Sequence, residues 1–144
     1  MGNTIKALIA TADGDVRVEN IAPEAEDIRR IIGGWFDCVR EDKYVGYVHD
    51  EGLLIGLPTN YIASVMFGRV LAGDCVVVGA LNEKGEYDGE SYDAPEWMFG
   101  DDFIQAMRDA HNDEGIRKTV DAIYGAMNLS PTMMVWNGDE WESL

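Results

Sequence analysis

The sequence predicts an α+β fold: a small antiparallel or mixed sheet with two short helices, plus a C-terminal helical extension. Three observations predict it. Short apolar runs rich in β-branched residues, separated by Gly, Asp and Pro turn signals, fill the first 81 residues. From Phe103 onward, apolar residues recur at helical spacing. Between the two regions, Asn82 to Asp102 carries Gly85, Gly89, Gly100 and Pro95 and reads as a connection. The expected organisation is a core domain at 1–81, an acidic connecting loop at 82–102, and an extension at 103–144 packed on the core.

Each element has its own signal. Ile5 to Thr11 and Val16 to Glu19 flank Asp13-Gly14, a strong two-residue turn, and predict a hairpin. Pro23 suits a first helical position, Ile28, Ile31 and Ile32 form one apolar stripe, and Gly33 supplies a stop. Trp35 to Val39 and Tyr44 to Val48 predict a second hairpin, and Leu53 to Leu57 a short apolar strand. Asn60 to Phe67 reads as a two-turn helix capped by Thr59 or Asn60 and ended by Gly68. Cys75 to Leu81, a continuous β-branched run, predicts a central strand buried on both faces. Asp101 is placed to cap a helix with Phe103, Ile104, Met107 and Ala110 on its apolar face. Ile116, Val120, Ile123, Tyr124 and Met127 make a second helical stripe ending near Asn128, with a strand at Thr132 to Trp136.

The chain has 144 residues, 27 acidic and 11 basic, for a net charge of −16, and 47% of its residues are apolar. That hydrophobicity excludes disorder. No apolar run approaches the roughly 20 residues that span a bilayer, and Met1 to Ala12 lacks a signal-peptide layout, so a cytoplasmic protein with no membrane partner is expected. Two cysteines are too few for a disulfide scaffold. The charge is uneven: net −5 over residues 1–81 and −11 over 82–144. Glu83, Glu86, Asp88, Glu90, Asp93, Glu96, Asp101 and Asp102 face a single cation, Lys84, within 82–102. Direct nucleic-acid binding is excluded as an expectation, because Arg29, Arg30, Arg40 and Lys43 are interleaved with Glu26, Asp27, Glu41 and Asp42.

Catalytic and metal signals are weak. His49 and His111 lie in different elements, Cys38 and Cys75 have no close-spaced partner, and Asp13-Gly14-Asp15 lacks the alternating ligands of a calcium loop. Both cysteines fall in strands, where inert buried thiols are expected. Asp109 and Asp113, four residues apart, are read as a solvated helix face. The expectation is no metal, no cofactor and no enzymatic activity. Leu57-Pro58-Thr59-Asn60 is the one turn whose helix start could hold an anion. With Trp35, Tyr44, Tyr47, Thr59, Asn60 and Tyr61 it defines an alternative site for a nucleotide or another small anion. Trp97, Trp136 and Trp141 are read first as core side chains that dock the terminal helices, and as interface anchors if two of them are exposed.

Gly33-Gly34-Trp35, Gly52, Leu57-Pro58-x-Asn60-x-x-Ala63, Gly68 and Gly73-Asp74-x-Val76-Val77-Val78-Gly79 follow the opening hairpin in that order. Over residues 4–81 the chain resembles the phage and actinobacterial domain of unknown function numbered 3846. The resemblance implies a gene carried by phages or mobile elements, hence a bacterial host cytoplasm, and assigns no catalytic residue. Together with the acidic second half, it leads to an expected function. The protein is a non-enzymatic accessory protein that binds and inhibits a host or defence protein through its acidic surface, imitating the phosphate array of DNA. Homo-oligomer formation stays open.

Overall fold

The computed structural model describes residues 3–127, 134–136 and 141–143. Strands β1 (Ile5–Ala10), β2 (Val16–Ile21), β3 (Phe36–Arg40), β4 (Tyr44–His49) and β5 (Cys75–Gly79) form one sheet in the order β2-β1-β5-β4-β3. Every neighbouring pair is antiparallel, which resolves the antiparallel-or-mixed expectation. The two hairpins β1–β2 and β3–β4 stand on either side of β5, whose five residues are all buried. Its Cys-Val-Val-Val-Gly sequence has no polar side chain because neither face meets water.

Helices cover both faces. On one, α1 (Ala25–Ile32) buries Ile28 and Ile32 with Ala7, Ile9, Val45, Val76 and Val78. On the other, α2 (Tyr61–Phe67) lays Ile62, Ala63 and Phe67 over Leu8, Val48, Cys75 and Val77. There it is joined by α3 (Asp101–Asn112), through Phe103, Ile104 and Met107. Helix α4 (Glu114–Ala126) follows α3 and buries only Val120. A separate two-stranded pair, β6 (Met134–Trp136) and β7 (Trp141–Ser143), closes the described chain. Gly33 and Gly68 end α1 and α2 in the left-handed conformation, as their positions predicted.

Several local expectations are corrected. Leu53 to Leu57 is a run of turns: Ile55 donates its N–H to Glu51 and Leu57 to Gly52, so the backbone groups close locally and no sheet partner is needed. Helix α1 begins at Ala25, two residues after Pro23. Asp101 is the first residue of α3, not its cap, and with Asp102 places negative charge at the positive end of the helix. Asp109 and Asp113 do not share a helix: Asp113 separates α3 from α4, and its carboxylate accepts the Ile116 N–H at 2.9 Å. Cys38 is exposed on β3, while Cys75 is buried. Asn128 lies outside the described residues.

Asn60 is fully buried at the start of α2. Its Oδ1 accepts the Ala63 N–H, and its Nδ2 donates to the carbonyls of Ala10 and Gly73, each at 2.9 Å. Its main-chain N–H donates to Leu71, and its carbonyl accepts from the Ser64 N–H and hydroxyl. The end of β1, the approach to β5 and the start of α2 therefore meet on one amide. Further along, the Gly79 main chain exchanges hydrogen bonds with Tyr92, and a Cβ at Gly79 would collide with the Asp93 carbonyl oxygen. That close approach requires glycine at the end of β5.

The α3–α4 junction packs on the first hairpin through His111, whose ring lies against Gly14. Arg117 reaches its Nε2 at 2.8 Å; a guanidinium only donates, so Nε2 accepts and the proton belongs on Nδ1, which is buried without a partner among the described residues. Burial first, then the Arg117 charge, depresses the proton affinity of His111, while Asp13 opposes them.

Asn60→Ala should destabilise the fold by about 3 kcal/mol in denaturant titrations, since three backbone groups lose a buried partner. Gly79→Ala should cost about 2 kcal/mol by forcing Asp93 away. Because the folded state holds His111 below its unfolded pKa of about 6.5, the unfolded chain takes up the proton more readily. Stability should therefore be complete above about pH 6.5 and fall as pH drops through that value. His111→Gln should flatten this slope in urea midpoints measured between about pH 5.5 and 7.5.

Candidate functional site

The acidic segment is built into the sheet rather than hung from it. Tyr92 pairs with Gly79 at the end of β5, the Ala94 N–H donates to the Lys6 carbonyl, and Lys6 returns its N–H to the Asp93 carboxylate at 2.7 Å. Ala94 and Met98 are buried in the core beneath α2 and α3. Between these anchors, Asn82 closes a tight turn: its side-chain oxygen accepts the N–H groups of Lys84 and Glu86. Asp88 in turn accepts the Glu90 N–H at 3.0 Å and the Tyr92 hydroxyl. That hydroxyl holds the Asp88 carboxyl below the usual carboxylate range, and the same contact pushes Tyr92 up to about 12.

All eight predicted acids are exposed. Glu83, Glu86, Asp88 and Glu90 occupy the turn, Asp93 the link between the end of β5 and the start of β1, Glu96 a 3-10 turn at Glu96–Phe99, and Asp101 and Asp102 the first turn of α3. Among the described residues none of the eight forms an ion pair; the ion pairs present lie elsewhere, as in Arg30 with Glu19 and Asp27. Two aromatic side chains stand among these acids in water. Trp97 is 53% exposed, its ring edge-to-face with Tyr44 and Phe103. Tyr87 lies under the Arg40 guanidinium at 3.5 Å. The expectation that Trp97 is a core residue is therefore corrected: Met98, next in the 3-10 turn, takes the buried position. Trp136 and Trp141 fall outside the described side chains. Sequence reading passed over Tyr87; its place between Glu86 and Asp88 in a Gly-rich stretch was the available signal.

The six residues of the alternative anion site do not converge. Tyr44 and Tyr47 are an odd number of positions apart on β4 and point to opposite faces: Tyr44 packs on Phe67, Tyr47 on Phe36. Trp35 is stacked under Arg29, and Tyr61 donates its hydroxyl to Asp121. Thr59 makes an isolated bridge with Ala72, and every polar atom of Asn60 is engaged by the protein itself. Helix α2 thus begins on its own cap.

Among the described residues no group of three His, Cys, Asp or Glu side chains is placed to hold a metal ion. Burial raises the thiol pKa of both Cys75 and Cys38, the opposite of an activated nucleophile. No described helix is long and apolar enough to cross a membrane.

Compared with known proteins, the chain matches the family model described as Domain of unknown function (DUF3846) over residues 5–96. No curated protein and no solved structure matches it. The matched span runs past the sheet through Tyr92, Asp93 and Ala94, so it takes in most of the acidic segment along with the strand contacts that anchor it. With the match covering well over half of its length, the chain belongs to the DUF3846 family.

Proposed function

We propose that this protein is a non-enzymatic accessory protein of phage type whose segment 82–102 docks on the basic, DNA-binding surface of a host or defence protein and blocks it. The observation that carries this reading is the uncompensated charge: eight exposed carboxylates on a segment anchored at both ends, with no ion pair among the described residues. An anchored loop loses less freedom on binding than a free one, so more of the electrostatic attraction survives as affinity. Duplex DNA offers one charge per about 1.7 Å, and a protein that recognises that array through clustered Lys and Arg has the complementary charge for these eight carboxylates. Trp97 and Tyr87 add what DNA lacks, exposed aromatic surface of the kind that anchors protein interfaces. The net charge of −16 also keeps nucleic acid itself away.

The test is a tagged pull-down from bacterial lysate with the full chain and with a Glu83→Gln, Glu86→Gln, Glu90→Gln, Glu96→Gln variant. The expected result is a basic, DNA-binding partner that competes with duplex DNA. Raising the salt, which shortens the Debye length from about 10 Å to about 3 Å, should release it. The variant should bind it at least about tenfold more weakly, four screened ion pairs being lost. Equal capture by the variant, or capture indifferent to salt, overturns the proposal.

A further inference from the structure

Two shallow depressions, about 760 Å³ and about 580 Å³, adjoin on the face that carries α2 and α4, sharing Gly68, Arg69, Val70 and Ile123. Four large apolar side chains line them while still in water: Leu54, Val65, Ile123 and Met127, each between 42% and 51% exposed. Single exposed apolar residues are ordinary; four along one continuous groove are not. The cause lies in α4. Its apolar stripe runs on through Ile123 to Met127, but its burial stops at Val120. The opposite bank is the sheet edge β3, where Asp37 sits across from Val48 in the ladder and Val39 lies beneath.

Charge decides what belongs there. The walls carry three exposed carboxylates, Asp37, Asp50 and Asp113, against one cation, Arg69. Asp37 has no hydrogen-bond or ion-pair partner among the described residues, and Asp50 has only the His49 ring, at 3.6 Å. Residues 128–144 of the chain itself would bring Asp139, Glu140 and Glu142 and no Lys or Arg, placing like charge against like. A second copy, at −16, would do the same on a larger scale. An occupant with apolar side chains on one face and Lys or Arg along its flanks meets both the stripe and the rim.

We propose that this groove receives an amphipathic, lysine- or arginine-bearing helix of a partner protein. The apolar face of the helix covers Leu54, Val65, Ile123 and Met127, and its cations reach Asp37, Asp50 and Asp113. The groove is made of residues other than 82–102, so the inference stands apart from the function proposed for that segment.

The probe is a synthetic peptide of about 18 residues, five helical turns, with Leu on one face and Lys on the other, beside a matched Leu/Glu peptide. Titrated by calorimetry against the full chain, the Lys peptide is expected to bind and the Glu peptide to fail. Ile123→Asp or Val65→Asp, both at half-exposed sites that leave the core intact, should weaken the Lys peptide by about tenfold or more. Each adds a negative charge, so attraction that was merely long-range would instead be strengthened. The four-fold Glu→Gln variant of the acidic segment should change this binding by less than about threefold, which separates failure here from failure of the proposed function. Binding unchanged or tightened by Ile123→Asp overturns the proposal. So does a wild-type dimer that Ile123→Asp makes monomeric, which gives the groove to a second copy. A wild type that ignores the peptide but loses several degrees of Tm on Ile123→Asp also overturns it, and gives the groove to residues 128–144.

Discussion

The side-chain amide of Asn60 holds together three parts of the chain that are far apart in sequence. One end of β1, the turn before β5 and the first turn of α2 all direct backbone groups at the same buried point. An amide is the one short side chain with two donors and a strong acceptor, so it satisfies all three at once. Ser64, one turn along α2, extends the arrangement by accepting the Leu71 N–H. Without this polar knot, α2 would meet the sheet with orphaned carbonyls beneath it, and burying Ile62 and Phe67 would carry a desolvation cost. The Leu-Pro-x-Asn and Gly-Asp blocks are two halves of this device: Asn60 supplies the amide, Gly73 one of the carbonyls, and Asp74 accepts the Ala12 N–H beside them.

Much of the fold was legible because local and global preferences agree. The β-branched run at 75–79 is the central strand, Asp13-Gly14 turns the first hairpin, and the glycines after Ile32 and Phe67 end their helices in the conformation that suits glycine. The misreadings share a physical origin. At Leu53–Leu57 and at Asp113, short-range hydrogen bonds compete with the longer pattern and win, and apolar periodicity does not register such bonds. That Tyr44 and Tyr47 lie on opposite faces was legible in the sequence, since they are three apart and a strand alternates every residue. The exposure of Trp97 was not legible: the choice between Trp97 and Met98 for the core is settled by how the 3-10 turn is oriented on α2 and α3, a long-range matter.

The charge distribution has a structural side as well. Exposed acids are compatible with the fold because they stand where the backbone already offers positive partial charge or N–H donors: Asp101 and Asp102 at a helix start, Asp93 on the Lys6 N–H, Asp88 on the Glu90 N–H. Four of the eleven cations stand over aromatic rings: Lys6 over Phe99, Arg29 over Trp35, Arg40 over Tyr87 and Arg117 over Tyr61.

The sheet order has a consequence for how the chain reaches this state. The centre of the sheet is its fifth strand in sequence, so β1 and β4 each keep an open edge until Cys75–Gly79 arrives between them. During synthesis the two hairpins emerge first, complete in themselves and mismatched as a pair, their apolar faces without the strand that joins them. A chain stalled or cleaved ahead of Cys75 presents the unpaired edges of β1 and β4 in addition to those of β2 and β3, the template on which β-rich chains associate with one another. Completing the sheet therefore depends on the strand that comes last in sequence, Cys75–Gly79, reaching the gap between two hairpins that precede it.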